Sequence, residues 1–205
     1  MTIKPTLTID RDRAIRAYRN FLWALGYDFL KLPSMNAEAS GKDTAERAVD
    51  AMIEFLTKGQ EHLHFTCFPW DGEPEMIAVT HLRFESLCAH HMLLYTGVAH
   101  IGYIPKATVC GLSKIARVVT HYSRRPSIQE NLTAKIATFL EEQLQPMGVG
   151  VIIEATHGCM SARGVSMPSH VTVTSTMRGV FETATVRGEF WRLIQAAKGS
   201  RPGGD

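Results

Sequence analysis

The order of its hydrophobic periodicities is the feature that most limits what this chain can fold into. Two strand-like segments, Met76–Leu87 and Met92–Ile104, precede two helical segments, and two more strand-like segments, Val149–Met160 and Val171–Phe181, follow them. Hairpins that flank a helix pair are typical of an α+β domain with an antiparallel sheet and helices on one sheet face. A sheet of only four strands has two open edges, so we expect copies of the chain to pair along them.

The helical segments have recognisable boundaries. Apolar residues recur at helical spacing over Leu112–Ser123, and Pro126 lies just beyond. Ser127-Ile-Gln-Glu130 has the form of a capping box, which predicts a second helix from there to about Gln145. A closing helix is predicted over Arg187–Ala197. The core order is therefore β-β-α-α-β-β.

The N-terminal part of the chain is typical of a helical arm. Helical spacing predicts one helix over Asp10–Leu25 and another from Thr44 to about Gly59, with a loop over Lys31–Lys42 between them. A length of 205 residues corresponds to one domain with an extension. We expect an arm over residues 1–60, a main domain over 61–199 and a flexible Gly-rich tail over 200–205.

Composition excludes several classes of protein. Hydrophobic residues make up 45% and charged residues 20%, which argues against disorder, and a net charge of +2 gives no indication of a nucleic-acid partner. No apolar run is long enough to span a membrane, and we see no signal-peptide pattern, so we expect no membrane partner. Four cysteines are too few for a disulfide scaffold, which predicts a cytoplasmic protein.

Two short clusters combine cysteine with histidine. Cys88-Ala-His90-His91 lies between two predicted strands, and His157-Gly-Cys159 lies near the end of another. Cys88 and His91 can bind one ion from a turn, and Cys159 adds a second thiolate. Two cysteines and one histidine with an open fourth position are typical of catalytic zinc, and thiolates disfavour magnesium and calcium. The sequence therefore predicts a catalytic zinc site.

Other interpretations of these clusters stay open. A single cysteine is usually a small buried hydrophobic side chain, which is what we expect of Cys67 and Cys110. A structural zinc with Cys67 or His157 as fourth ligand is a second alternative. Against it, His90 and His157 would be spare imidazoles beside the metal, and such groups suit proton transfer at neutral pH.

The predicted helix after Gly111 has a basic face. Lys114, Arg117 and Arg124 lie opposite its apolar residues, and Ser113 lies at its start, where backbone N–H groups favour anions. On charge alone, a solvated surface is the better interpretation.

With their neighbours, these residues resemble the GTP cyclohydrolase I family. The resemblance runs from about Asp43 to Phe190, with the family's motifs in order, and the full set is far more specific than any one motif. It implies the tunnelling fold, or T-fold, with rings of five subunits that pair into homodecamers. The motifs are Asp43-Thr-Ala-Glu-Arg47, Cys88-Ala-His-His91, Gly111-Leu-Ser-Lys114, Arg125-Pro-Ser-Ile-Gln-Glu130, His157-Gly-Cys159, Ala162-Arg-Gly164 and Thr174-Ser-Thr176.

The resemblance also implies residue roles. Cys88, His91 and Cys159 correspond to the family's zinc ligands. His90 and His157 correspond to its acid–base histidines.

Further positions correspond to substrate contacts. Ser113 matches the serine near the ribose, and Gln129 with Glu130 matches the guanine-recognising pair, although from the residues alone Glu130 is a helix cap. The positions that match the triphosphate contacts, some of them reaching across a subunit boundary, are Lys114, Arg117, Arg163 and Arg47.

The activity implied is that of a hydrolase acting on cyclic amidine C–N bonds. Zinc-dependent hydrolysis of GTP at C8 releases formate, and rearrangement gives 7,8-dihydroneopterin triphosphate, the first step of tetrahydrofolate and pteridine biosynthesis. Ala89 departs from the family's usual Glu, and Ala45 from its usual Pro.

Ala89 motivates an alternative within the family. A variant cyclohydrolase could serve 7-deazaguanine or other specialised purine-derived metabolism, or stop at an intermediate. A non-catalytic zinc-stabilised nucleotide-binding protein and another tunnelling-fold enzyme, a pterin synthase or nitrile reductase, are further alternatives that the motifs argue against.

Overall fold

The structure, a computed structural model, describes residues 8–27, 41–60 and 62–199. The chain divides into two compact units, Met1–Gln60 and Glu61–Asp205. That the first unit serves as an arm stays a prediction. The tail over 200–205 and most of the loop over Lys31–Lys42 lie outside the described residues.

The first unit contains α1 (Arg11–Ala24) and α2 (Thr44–Lys58), close to the predicted bounds. A capping box begins α2, because the Asp43 carboxylate accepts the Glu46 N–H while the Glu46 carboxylate accepts the Asp43 N–H. Arg19 of α1 contacts Asp43 at 2.6 Å and so ties the two helices together. The Arg19 guanidinium and the N–H donors offset the cost of burying this carboxyl, and the pKa of Asp43 lies below its ordinary value.

The second unit is built on an antiparallel sheet. In chain order its strands are β1 (Cys67–Pro69), β2 (Ile77–Cys88), β3 (Leu94–Ile104), β4 (Thr108–Cys110), β5 (Pro126–Ser127), β6 (Gly148–His157) and β7 (Thr172–Gly179). Its helices are α3 (Leu112–Ser123), α4 (Gln129–Leu144), α5 (Gly158–Ser161) and α6 (Ala184–Gly199), with one 3₁₀ turn, Val180–Glu182, before α6. The predicted α+β class and the β-β-α-α-β-β order are confirmed.

The sheet has one strand more than the four that were expected. Its order is β5-β2-β3-β6-β7, and β1 and β4 form a separate two-stranded sheet. The strands β1, β4 and β5 have two or three residues each, too few for a periodic signal. The parallel pairing of β5 with β2 sets Cys88 opposite Ser127. It therefore brings the start of α4 to the end of β2.

Two predicted boundaries are wrong. The capping box at Ser127 does not form, because Ser127 belongs to β5 and its hydroxyl donates to the Ile128 carbonyl. The N-cap of α4 is Ile128, which provides no side-chain hydrogen bond. The strand predicted over Val149–Met160 ends at His157, where the chain enters α5.

Helices cover both faces of the sheet, so the expectation of helices on one face is wrong: α6 covers the face opposite to α3 and α4. The main core joins α3 and α4 to one face, where Val151 and Ile153 point, whereas Ile152 points to the other face and packs with Phe181 and Phe190 near α6. Burial of each such large side chain contributes about 1.5–3 kcal/mol to stability. No helix among the described residues is both long and apolar enough to cross a membrane.

Candidate active site

A tight turn at the end of β2 places the first two candidate metal ligands. Cys88 ends the strand, its N–H donates to the Leu93 carbonyl at 2.8 Å, and its carbonyl accepts the Met92 N–H at 2.7 Å. Met92 adopts a left-handed backbone with φ of 55°. The turn folds His91 back until its Nδ1 lies 4.0 Å from Cys88 Sγ.

Strand pairing brings the third side chain to the same place. The β3–β6 ladder sets His157 opposite Tyr95, and the chain then turns into α5. Cys159 Sγ lies 3.9 Å from Cys88 Sγ, and one ligand atom from each of Cys88, His91 and Cys159 lies within 4.8 Å of the others. The predicted three-residue cluster is therefore assembled.

The chemistry of this cluster fits a divalent cation. Burial and the neighbouring Cys88 thiol raise the pKa of Cys159, while the positive charge of Arg163 opposes that shift. Two thiolates this close repel each other, and a cation between them removes the repulsion. Two sulfurs and one imidazole are ligands that zinc prefers.

The two candidates for a fourth protein ligand are engaged elsewhere. Cys67 lies opposite Cys110 in the two-stranded sheet, and its thiol contacts the Gln143 carbonyl at 3.6 Å. His157 Nε2 lies 2.7 Å from Gln129 Oε1. Among the described residues, the cluster thus has three members, which favours an open coordination position over a closed structural site.

His157 is held on two sides. Its ring stacks on Tyr95, with ring centroids 4.5 Å apart and planes 2° from parallel, and Tyr95 itself is fully buried. Burial lowers the pKa of His157, and the electrostatic effect of the nearby His170 side chain lowers it further, against a raising effect of Glu130. His157 is therefore biased toward its neutral form.

Gln129 determines which nitrogen of His157 carries the proton. The Gln129 side chain is buried, and its Nε2 donates to the carbonyls of Ile153 and Thr172, both at 3.0 Å. These contacts direct Oε1 toward His157, so Nε2 of His157 must be the donor. In the neutral ring, Nδ1 is then the nitrogen with a lone pair.

The other predicted residues lie on several different elements. His90 is exposed, with its ring centroid 6.2 Å from that of His91, and Glu130 is exposed next to Gln129. Ser113, Lys114 and Arg117 lie on α3, which packs against β2.

Arg47 belongs to α2, in the first unit. Its guanidinium donates to the Lys42 carbonyl and, at 3.2 Å, to the Thr44 hydroxyl. A contact of Arg47 with substrate stays a prediction.

Sequence reasoning missed two residues that contact His157. Tyr95 stacks on its ring, and His170 accepts its backbone N–H at 3.0 Å. The Tyr95 contact depends on the pairing of β3 with β6, and the His170 contact depends on the path of the chain before β7, and neither has a local sequence pattern.

Fold and site together are those of an α+β enzyme class with a candidate metal site: a cysteine–histidine cluster of three residues at a sheet end, beside a half-buried histidine whose pKa is lowered. The family model for GTP cyclohydrolase I matches residues 17–195. The GTP cyclohydrolase 1 of Sulfurihydrogenibium sp. (strain YO3AOP1) is 43% identical over 94% of this chain and 99% of its own length. The chain belongs to the GTP cyclohydrolase I family.

Other organisms contain similar proteins. The GTP cyclohydrolase 1 of Aquifex aeolicus is 42% identical over 92% of this chain and 99% of its own length. That of Rattus norvegicus is 44% identical over 88% of this chain and 73% of its own length. A crystal structure of the archaeosine synthase QueF-Like, in the apo form, covers 53% of this chain and 97% of its own, with a TM-score of 0.44 and 17% identity.

Proposed function

We propose that this member of the GTP cyclohydrolase I family hydrolyses GTP at C8, releases formate and forms 7,8-dihydroneopterin triphosphate, with Cys88, His91 and Cys159 as zinc ligands. The observation that carries the proposal is the convergence of these three ligand atoms within 4.8 Å. When bound, zinc supplies Lewis-acid chemistry that lowers the pKa of a water molecule toward about 7.

His157 is proposed as a proton carrier at Nδ1. Its Nε2–H is committed to Gln129 Oε1, and its lowered pKa leaves Nδ1 unprotonated near neutral pH. A group in this state can take up a proton and return it to a ring nitrogen of the purine as the imidazole ring opens. Gln129 supports this role by fixing the tautomer.

His90 and Ser113 complete the proposed proton-transfer groups. His90 is exposed beside the metal ligand His91, where it can exchange protons with solvent. Ser113 lies in the first turn of α3, and its hydroxyl is assigned to the ribose during the later rearrangement.

Guanine recognition is assigned to Gln129 and Glu130. The exposed Glu130 carboxylate can accept both N1–H and the exocyclic amine of guanine, a charge-assisted pair of hydrogen bonds. The side-chain amide of Gln129 is already hydrogen-bonded within the protein. Gln129 can therefore contact guanine only through its backbone, or by exchanging these side-chain hydrogen bonds for bonds to the base.

The triphosphate is assigned to four cationic residues. It carries about four negative charges, and a local concentration of positive charge can bind it although the whole chain has a net charge of only +2. The residues are Lys114, Arg117, Arg163 and Arg47.

We assign a homo-oligomer, a decamer of two pentamers, to this protein. Among the described strands β7 ends the sheet on one side, and on the other β5 covers β2 only at Leu87 and Cys88. Open edges of this kind favour pairing with other copies.

Four free cysteines, two of which must be reduced to bind metal, suit a cytoplasmic location.

The test is incubation of the zinc-loaded protein with GTP, with and without a chelator, while formate and pterin absorbance are followed. We expect equimolar formate and dihydroneopterin triphosphate, both abolished by the chelator and restored by zinc. Formate without the pterin product, identified by mass spectrometry, would instead support the variant cyclohydrolase suggested by Ala89, which the comparisons do not favour. Bound GTP without formate would overturn catalysis altogether.

A further inference from the structure

The side chain of His170 bridges two backbone segments at the edge of the active site. Its Nε2 accepts the His157 N–H at 3.0 Å, which places the ring proton on Nδ1. Nδ1 in turn donates to the Met167 carbonyl at 2.6 Å. Both ring nitrogens are therefore used by the backbone.

This bridge begins where the strand ladder ends. The pairing of β6 with β7 stops at Ala155 and Thr172, so His157 lies beyond the last residue of β6 that is paired with β7. The His170 ring supplies the acceptor that a continuing strand would have offered, and the Thr156 hydroxyl adds a bond to the His170 carbonyl at 3.3 Å. His170 thus extends the ladder with a side chain.

The backbone nitrogen of His157, to which His170 is hydrogen-bonded, determines where the His157 ring lies. The ring has to meet Gln129 Oε1 at 2.7 Å and Tyr95 at a centroid distance of 4.5 Å simultaneously. Both partners are buried and fixed, so a rotation of the His157 backbone would break the stack or the hydrogen bond.

We propose that His170 is a positioning residue that holds the His157 backbone so that the His157 ring keeps its orientation for proton transfer. The inference rests on the proposed function, because His157 acts on GTP only in that reaction. His170 itself does not touch the reacting atoms.

Two variants separate the two hydrogen bonds of the ring. His170→Gln offers an oxygen near the position of Nε2, which can accept the His157 N–H, but no donor at Nδ1. His170→Asn offers a donor near Nδ1 for Met167, but no acceptor that reaches His157. His64→Asn, at an exposed histidine of the same unit, is the matched control.

The zinc-loaded variants are compared by kcat, KM for GTP, zinc content and thermal unfolding. We expect His170→Asn to lower kcat by about tenfold to a hundredfold, with KM and zinc content unchanged, because misplacement of a catalytic group has effects of that size. His170→Gln retains kcat within about threefold of the parent, on the same argument. Equal kcat values for the two variants, or losses that follow zinc content or melting temperature, would overturn the proposal.

A crystal structure of zinc-loaded His170→Asn provides a readout that does not depend on activity. We expect the His157 ring to leave its stack on Tyr95, and an unmoved ring would overturn the proposal. If the parent protein releases no formate from GTP, the proposed function fails, whereas a moved ring in the variant would still establish the positioning contact.

Discussion

Two pairs of cysteines in the second unit come together across strands, and they have different environments. Cys67 and Cys110 lie opposite each other in the two-stranded sheet. Cys88 and Cys159 meet at the end of the large sheet, with Sγ atoms 3.9 Å apart and His91 within ligand distance. Burial raises the pKa of Cys67, Cys110 and Cys159 alike, so burial does not distinguish the pairs.

The distinguishing features are the strand end and the imidazole. At a strand end the backbone can turn and bring a residue three positions away back to the thiol, as His91 returns to Cys88. Within the ladder of β1 and β4, neighbouring side chains alternate between faces, and no histidine completes a set with Cys67 among the described residues. Proximity of two thiols is thus insufficient for a metal site.

The most severe test exchanges one sulfur in each pair. Cys159→Ser replaces a thiolate ligand with a hydroxyl, and we expect loss of zinc and of all measurable formate release. Cys67→Ser is the matched control and should keep both. Zinc per subunit, measured by atomic absorption, and formate release decide the outcome. If Cys159→Ser retained zinc, or if Cys67→Ser lost it, the conclusion that only the pair of Cys88 and Cys159 binds metal would be wrong.

A second test removes an imidazole that the metal does not need. We expect His90→Ala to retain zinc but to lose activity by about a hundredfold or more, the size of a general acid–base contribution. His64→Ala is the control, because His64 is exposed in the same unit and has no predicted role. Full activity in His90→Ala would exclude His90 from the chemistry.

A third test examines substrate recognition beside the metal-binding pair. Glu130→Gln removes the negative charge proposed to accept two guanine hydrogens, and we expect KM for GTP to rise about tenfold, since hydrogen bonds to charged groups contribute about 1.5–3 kcal/mol. Zinc content should not change. Glu142→Gln, at an exposed position of the same helix, should have the parent KM. Unaltered GTP binding in Glu130→Gln contradicts the assignment.

The smallest effect is expected at the other pair. The Tyr103 hydroxyl accepts the Cys110 N–H at 3.4 Å, and burial raises the pKa of Tyr103 to about 12 from an ordinary value of 10. A raised pKa in the folded state means that the neutral form stabilises the fold below pH 10, and that this stability is lost as the pH rises toward 12.

Urea unfolding across this alkaline range is the measurement. We expect the free energy of unfolding to fall more steeply with pH in the parent than in Tyr103→Phe, with a difference on the order of 2 kcal/mol between the ends of the range. Identical pH dependence in both proteins would show that Tyr103 ionises freely in the folded state.

The sequence predicts the periodic elements and the metal ligands because both depend on short spacings. The four long strands and the helices α3 and α4 have enough residues for a periodic pattern, and Cys88 and His91 lie three positions apart. Cys159 is found through its neighbour His157 and through the family motif. These patterns can be recognised in the sequence without knowledge of the fold.

The features that could not be predicted from the sequence are those that depend on pairing between distant segments. The two-residue strand β5 has no pattern of its own and forms only because β2 offers an open edge, which also explains the failed capping box at Ser127. The hydrogen bond between Gln129 and His157 spans 28 positions, and the bridge from His170 depends on where the β6–β7 ladder stops. Such contacts can be located only when the register of the strands is known.

The brief parallel pairing of β5 with β2 has a consequence for protein engineering. Because Ser127 lies opposite Cys88 and Glu130 follows three residues later, the spacing between the candidate metal site and the carboxylate proposed to select the base is built into the main chain. If Glu130 selects the base as proposed, libraries that seek acceptance of another nucleobase can randomise position 130, whereas we expect an insertion between Ser127 and Glu130 to shift the bound nucleotide relative to the candidate metal site.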